Sequence, residues 1–280
     1  KERGGAYMTN AEATGTAATR KRFTGRKPVL GLTVAGILLI GAVSAQAELR
    51  IAKVFSDNMV LQCDKKAPVW GWAAPGEKIS VDFAGQKKTA TADSAGKWMV
   101  RLSSMRASAA PRAMIVSGAG DSHLVLTNVL VGEVWICSGQ SNMQWGLGSS
   151  VNGPQEVAAA VFPLIRLMTV RNTTSHTPLA DAPTDGWVVC TPSTACGFSA
   201  VGYFFGRQLH NELKVPIGVI NTSWGGTICE AWTSAETLRK LPDFALFQPA
   251  GSGPNVCTVL YNGMIAPLIP YGIKGAIWYQ

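Results

Sequence analysis

Between residue 48 and about residue 129 the apolar positions come in short runs, and many alternate with polar ones. The runs are Val54-Phe55, Met59-Val60-Leu61, Val69-Trp70-Gly71-Trp72, Ile79-Ser80-Val81-Asp82-Phe83, Lys97-Trp98-Met99-Val100-Arg101-Leu102, Ala113-Met114-Ile115-Val116 and Leu124-Val125-Leu126. Turn signals separate them at Ala74-Pro75-Gly76, Ala84-Gly85-Gln86, Ser94-Ala95-Gly96 and Gly118-Ala119-Gly120-Asp121. A period of two sends one face of each run to a core and the other to water, so short strands at this spacing predict a β-sandwich over residues 48–129. Its three tryptophans are read as core aromatics, with a sugar-binding platform as the alternative.

From residue 130 the pattern becomes strand, loop, helix, strand. Residues 131–137, 164–170, 217–221 and 275–279 are continuous apolar runs, the mark of strands buried on both faces. Ser199 is placed to cap a helix in which Val201, Phe204, Phe205, Leu209 and Leu213 recur at helical spacing, and Val215-Pro216 ends it. A short helix is expected near residues 234–240. Alternating strands and helices predict an α/β domain over residues 130–280, built on a mostly parallel sheet with helices on both faces.

The first 47 residues fit neither pattern. Arg20, Lys21, Arg22, Arg26 and Lys27 precede an uncharged stretch at 28–47 that closes on Ala45-Gln46-Ala47, an A-x-A cleavage site. A signal peptide cleaved near Ala47, and hence a secreted or periplasmic protein, is the expectation; a retained membrane anchor is the alternative. The leader also accounts for most of the basic balance. The chain carries 25 Lys and Arg against 17 Asp and Glu, but seven of those cations and two of the anions lie in 1–47, so residues 48–280 are only +3. The remaining Lys and Arg form no stripe, so no nucleic-acid partner is expected, and no stable membrane partner once the leader is removed.

Six cysteines, Cys63, Cys137, Cys190, Cys196, Cys229 and Cys257, are too dispersed for a zinc motif. Cys137 reads as a buried thiol, while Cys190 and Cys196 could close a short loop. No metal or cofactor is signalled.

The candidate chemistry sits where the strand at 131–137 runs into Gly139-Gln140-Ser141-Asn142-Met143, a tight polar turn holding up one hydroxyl. A serine presented at the carboxyl end of a sheet strand is a candidate nucleophile. The turn is not the G-x-S-x-G elbow, because Met143 replaces the second glycine. A tetrahedral oxyanion needs donors. The Ser141 N–H is one, and Asn221-Thr222-Ser223-Trp224-Gly225-Gly226-Thr227 offers a glycine pair that can aim another, or can simply turn the chain.

These blocks, with Leu260-Tyr261-Asn262-Gly263-Met264-Ile265-Ala266-Pro267-Leu268 and the opening Val54-Phe55-Ser56-Asp57-Asn58-Met59-Val60-Leu61-Gln62, resemble the sialate O-acetylesterase family of the SGNH-hydrolase superfamily from about residue 50 onward. The resemblance implies a flavodoxin-like SGNH fold behind the sandwich and an esterase that removes O-acetyl groups from sialic acid or other acetylated glycans through an acetyl-enzyme. It gives Ser141 the nucleophile's role, makes its N–H and that of Gly225 or Gly226 oxyanion donors, and expects a third donor from an Asn just after the last strand. Gln140, Asn142, Trp224 and Glu230 are candidate substrate-binding residues, with local bracing as the alternative for Glu230; Trp145 is a candidate pocket wall. The base would be the His of an Asp-x-x-His motif. Residues 1–280 contain neither that motif nor the Asn, and His123, His176 and His210 read as structural or solvated. The chain is therefore expected to be a C-terminally truncated, inactive esterase. The rival reading is a non-catalytic carbohydrate-binding or adhesin protein on a decayed hydrolase fold.

Overall fold

The computed structural model describes residues 48–246 and 250–280. The expected leader lies outside the described residues, and among those described no helix is long and apolar enough to cross a membrane. The chain forms β1 (Arg50–Ile51), β2 (Val60–Gln62), β3 (Ala67–Trp72), β4 (Lys78–Phe83), β5 (Gln86–Thr91), β6 (Lys97–Leu102), β7 (Ser108–Ser117) and β8 (His123–Gly139). After these come α1 (Ser141–Gln144), α2 (Gly153–Ala158), β9 (Phe162–Val170), β10 (Thr184–Cys190), α3 (Pro192–Ala195), α4 (Ala200–Leu213), β11 (Ile217–Asn221), α5 (Ala235–Leu238) and β12 (Gly275–Tyr279).

The alternating runs build a sandwich. Strands β1, β3 and β6 form one small sheet, and β7, β4 and β5 extend a second, larger one. Val69, Trp98, Val100 and Leu102 from the first pack in one buried cluster with Ile79, Val81, Phe83, Met114 and Val116 from the second. Two expectations fail here for clear reasons. Val54-Phe55 is buried but is not a strand: it lies in a loop, where the Phe55 ring meets Trp70 edge-on at 4.7 Å. Strand β5 was not expected, because Gln86-Lys87-Lys88-Thr89-Ala90-Thr91 has no large apolar residue. It pairs with β4 across the Ala84-Gly85 turn, both residues at positive φ, and its lysines suit an edge strand.

Strand β8 joins the two halves of the molecule. The sequence suggested separate strands at 124–126 and 131–137; they are one strand of 17 residues. Its first part pairs antiparallel with β7, and its last part runs parallel to β11 and β12. The bend between them is a bulge, where the register against β7 shifts and Asn128 has φ 54°. Arg166 of β9 holds this bend. It is 3% exposed and has no carboxylate partner among the described residues; its guanidinium donates to the carbonyls of Asn58, Asn128 and Pro163 at 3.1–3.2 Å and to the Asn128 Oδ1 at 3.2 Å.

The carboxyl-terminal sheet is mixed α/β, as its pattern predicted. Strands β9, β11, β8 and β12 are parallel, and β10 closes the far edge antiparallel to β9. Helix α4 starts at Ser199, whose hydroxyl accepts from the Gly202 N–H at 3.0 Å. Its most deeply buried residues are not those of the stripe read from the sequence. Ala200, Gly202, Tyr203 and Gly206 go deepest, while Leu213 is 46% exposed. Glycine lets the helix settle onto β11, since a Cβ on Gly206 would lie 2.8 Å from the Val219 side chain. The opposite face of the sheet is covered by short 3-10 and π turns at Cys229–Trp232, Tyr261–Ile265 and Ala266–Leu268, which supply Trp232, Met264 and Leu268 to the core with Ile220 and Met168.

Candidate active site

Strand β8 ends on Gly139 at φ 129°, and a Cβ there would lie 2.1 Å from the Tyr279 carbonyl oxygen. Only glycine fits, because the backbone is in a region L side chains avoid and β12 presses directly against it. The turn is held from both sides: Gln140 N–H donates to the Tyr279 carbonyl at 3.0 Å, and Trp224 N–H to the Gly139 carbonyl at 3.0 Å. The chain then turns into α1, and Ser141 stands exposed at its first position. It lies at the carboxyl edge of the sheet, where open α/β folds place their ligands.

The glycine loop after β11 comes against this turn. A Cβ on Gly225 would lie 3.1 Å from the Ser141 Oγ. Gly225 N–H donates to the Gln144 Oε1 at 2.7 Å, and Gly226 N–H to the Gln140 Oε1 at 3.3 Å. That same Gln140 oxygen accepts from the Ser141 N–H at 2.8 Å and from the Ser141 hydroxyl at 2.7 Å. Thus Ser141, Gly225, Gly226 and Gln140, 84 residues apart at the closest between the two blocks (141 and 225), share one small space.

Two carboxamides and an indole from further segments fix the loop. Asn255 donates to the Gly226 carbonyl at 3.0 Å and accepts from the Ile228 N–H at 2.9 Å. Gln280 Nε2 donates to the Thr227 carbonyl at 2.8 Å, and Trp232 Nε1 to the Thr227 hydroxyl at 2.9 Å. Gln144, Asn255 and Gln280 were missed in the sequence. Gln280 stands directly after β12 and is not the Asn that the resemblance expects further on. Gln144 is one helical turn on from Ser141; nothing local marked Asn255.

The other candidates lie around this centre. Asn142 is exposed on α1. Trp224 is half-buried, its indole packed against the main core. Trp145 is 56% exposed, its indole N–H donating to the Ser149 carbonyl at 2.9 Å. Glu230 is half-buried; its carbonyl accepts from the Thr258 N–H at 3.0 Å, and its carboxylate accepts from the Cys229 thiol at 3.5 Å. Burial, then this carboxylate, raises the thiol pKa values of Cys229 and Cys257. Cys137, below the turn, is fully buried and free, and desolvation pushes its thiol up to about 12, so it is no nucleophile at neutral pH. Cys190 and Cys196 are also free thiols, one buried and one exposed.

No histidine or carboxylate hydrogen-bonds Ser141 among the described residues. His123 begins β8 and contacts the Asp121 carbonyl at 2.9 Å, at the opposite end of the strand from Ser141. His210 contacts the Val215 carbonyl at 2.8 Å, beside the amino end of β11. His176 lies in an exposed loop, its carbonyl accepting from the Asn262 side chain at 3.0 Å. The arrangement is an exposed hydroxyl with backbone donors from two loops beside it.

Known proteins are similar to this chain. Residues 131–280 match the family of carbohydrate esterases described as sialic acid-specific acetylesterases. The chain is 33% identical over 272 residues to a human sialate O-acetylesterase, and 32% identical over 272 residues to one from Pongo abelii, covering 90% of this chain and 52% of each relative. The crystal structure of a carbohydrate acetylesterase from Xanthomonas citri superposes with a TM-score of 0.76 at 40% identity, covering 82% of this chain and 50% of that one. The chain thus spans about half the length of the curated relatives it matches. Because the family match covers more than half of the chain and takes in the Ser141 turn and the glycine loop, the chain belongs to the sialic acid-specific acetylesterase family of carbohydrate esterases.

Proposed function

We propose that this protein is a secreted or periplasmic serine esterase that removes O-acetyl groups from sialic acid or other acetylated glycans. The observation that carries the reading is the convergence of the Ser141 hydroxyl, its own N–H and the Gly226 N–H on a single oxygen-sized position. In this reading a base takes the Ser141 proton and Oγ bonds to the acetyl carbon. The carbonyl oxygen gains the electron pair and is held by the Ser141 and Gly226 N–H groups. Collapse breaks the bond to the sugar oxygen, which leaves protonated. Water then adds to the acetyl-enzyme, acetate departs and Ser141 regains its proton. The base is the His of the Asp-x-x-His that the family resemblance implies. The third donor is the Asn that the family resemblance expects after the last strand. Asn142, Trp224 and Glu230 are the candidate sugar contacts.

The test is hydrolysis of p-nitrophenyl acetate and acetate release from O-acetylated sialic acid and from acetylated xylan by the full-length protein. Ser141→Ala is expected to lower turnover by at least about a thousandfold, since a serine nucleophile has no substitute. Equal rates in the two proteins would remove Ser141 from the chemistry. Absence of turnover in the unaltered full-length protein, with glycan binding retained, would favour the binding-protein reading.

A further inference from the structure

The oxygen on which those donors converge belongs to the protein. Backbone N–H groups can only donate, so the Gln140 atom that meets the Ser141 N–H at 2.8 Å and the Gly226 N–H at 3.3 Å must be the carboxamide oxygen and not its nitrogen. A carboxamide carbonyl has the planar shape and lone-pair directions of an ester carbonyl. We propose that Gln140 is an internal occupant of the oxyanion site. Its side-chain carbonyl keeps the Ser141 and Gly226 donors aligned when no ester is bound, and is displaced when an acetyl carbonyl takes its place.

Three features support this, and the inference rests on the reading of Ser141 and Gly226 given above. First, the two glycine donors are already divided. Gly225 N–H is held by Gln144 at 2.7 Å, a shorter contact to a residue outside the converging set, so Gly226 is the donor left for the reaction. Second, the donor loop does not depend on Gln140 for its position. Asn255 holds the Gly226 carbonyl and Gln280 the Thr227 carbonyl from the other side, so the loop keeps its shape when Gln140 leaves. Third, the Ser141 hydroxyl donates to the same oxygen at 2.7 Å. A neutral amide oxygen is too weak a base to take that proton, so the hydroxyl is idle while Gln140 occupies the site. Displacement releases the hydroxyl toward a base and opens the donors to the ester together. Ester binding and release of the nucleophile become one event. Gln140 is on this view a positioning residue whose departure is part of substrate binding.

Acetate tests this without relying on turnover, because its carboxylate oxygen competes for the same two donors. The Ser141 and Gly226 amide resonances of the isotope-labelled protein are followed during acetate titration. Gln140→Met keeps the length and removes the strong acceptor. It is expected to lower the acetate Kd by about tenfold, the equivalent of one or two net hydrogen bonds no longer displaced. Gln140→Glu puts a charged oxygen on the same donors. It is expected to raise the acetate Kd by at least about tenfold at neutral pH. If Gln140→Met fails to fold, the Gln140→Glu titration decides alone. Acetate binding no tighter in Gln140→Met than in the unaltered protein, no weaker in Gln140→Glu, or unreported by the two amides in any form would overturn the proposal. Failure of the nucleophile assignment is separable, because Ser141→Ala reads turnover with Gln140 intact.

Discussion

Residues 123–128 of β8 alternate between exposed and half-buried, whereas residues 129–134 of the same strand are buried without a break. The first part has β7 beside it and one face toward the sandwich core. The buried run still has β7 beside Val129 and Val131, takes β2 beside it at 130–132 and β11 from 133, and the end of the strand, from 135, lies between β11 and β12, with α4 over one face of the sheet and the short 229–268 turns over the other. A strand covered on one face needs an apolar residue only at every second position; one covered on both needs it at all of them. The comparison also shows why the site stands where it does. Only the doubly covered part is rigid on every side, and its end can hold a left-handed glycine and an exposed serine in fixed positions.

The largest expected effect comes from the end of the strand. Gly139→Ala forces a Cβ against the Tyr279 carbonyl at positive φ and is expected to cost about 4 kcal/mol in denaturant unfolding, strain and overpacking together. The sandwich provides the control. Gly76 is also at positive φ, 78°, but has nothing within 4 Å, so Gly76→Ala is expected to cost only the left-handed penalty, about 1–2 kcal/mol. Equal losses would mean that β12 does not press on the turn.

The junction between the two parts comes next. Arg166→Met retains the apolar stem but leaves the Asn58, Asn128 and Pro163 carbonyls without their donor at a buried bend. A loss of about 3 kcal/mol is expected from unsatisfied acceptors. A loss below about 1 kcal/mol would show that water replaces the guanidinium and that the bend is not sealed.

Alkaline pH gives the smallest effect, and its sign follows from burial. The folded Cys137 thiol is raised from 9.0 to about 12, so the unfolded chain releases this proton first. Its contribution is complete below the unfolded value and is lost as pH rises through the window between the two. At about pH 10 the loss is on the order of 1 kcal/mol for this one thiol. Cys137→Ala should make the decline of unfolding free energy between about pH 8 and 10 shallower by that amount. An unchanged slope would place Cys137 within reach of solvent and break the claim that this half of β8 is sealed on both faces.

Much of this architecture could be read along the chain. Continuous apolar runs located β9, β11, β12 and the end of β8, and alternation located most of the sandwich, because each reports local burial. Strand β5 was hidden, since an edge strand has little to bury, and α4 showed only part of its packed face, since Val201, Phe204 and Leu209 do pack on the core but glycine at a close packing contact carries no hydrophobic signal. In the candidate site, Ser141 and the Gly225-Gly226 pair were legible as local strand-to-turn motifs. Gln144 and Gln280 meet the glycine loop across 81 and 53 residues of sequence, and separations of that size leave no periodic trace.

The sequence by itself determined that a sandwich precedes an α/β sheet and that Ser141 and a glycine pair are presented at strand ends, because residue type and spacing decide burial period and turn geometry. Only the tertiary structure decided that one strand serves both sheets, that an arginine without an acid seals its bend, and that the oxygen between Ser141 and Gly226 is the protein's own. Those three depend on which distant backbone groups meet, and unpaired donors and acceptors take their partners from whatever the fold brings within about 3 Å.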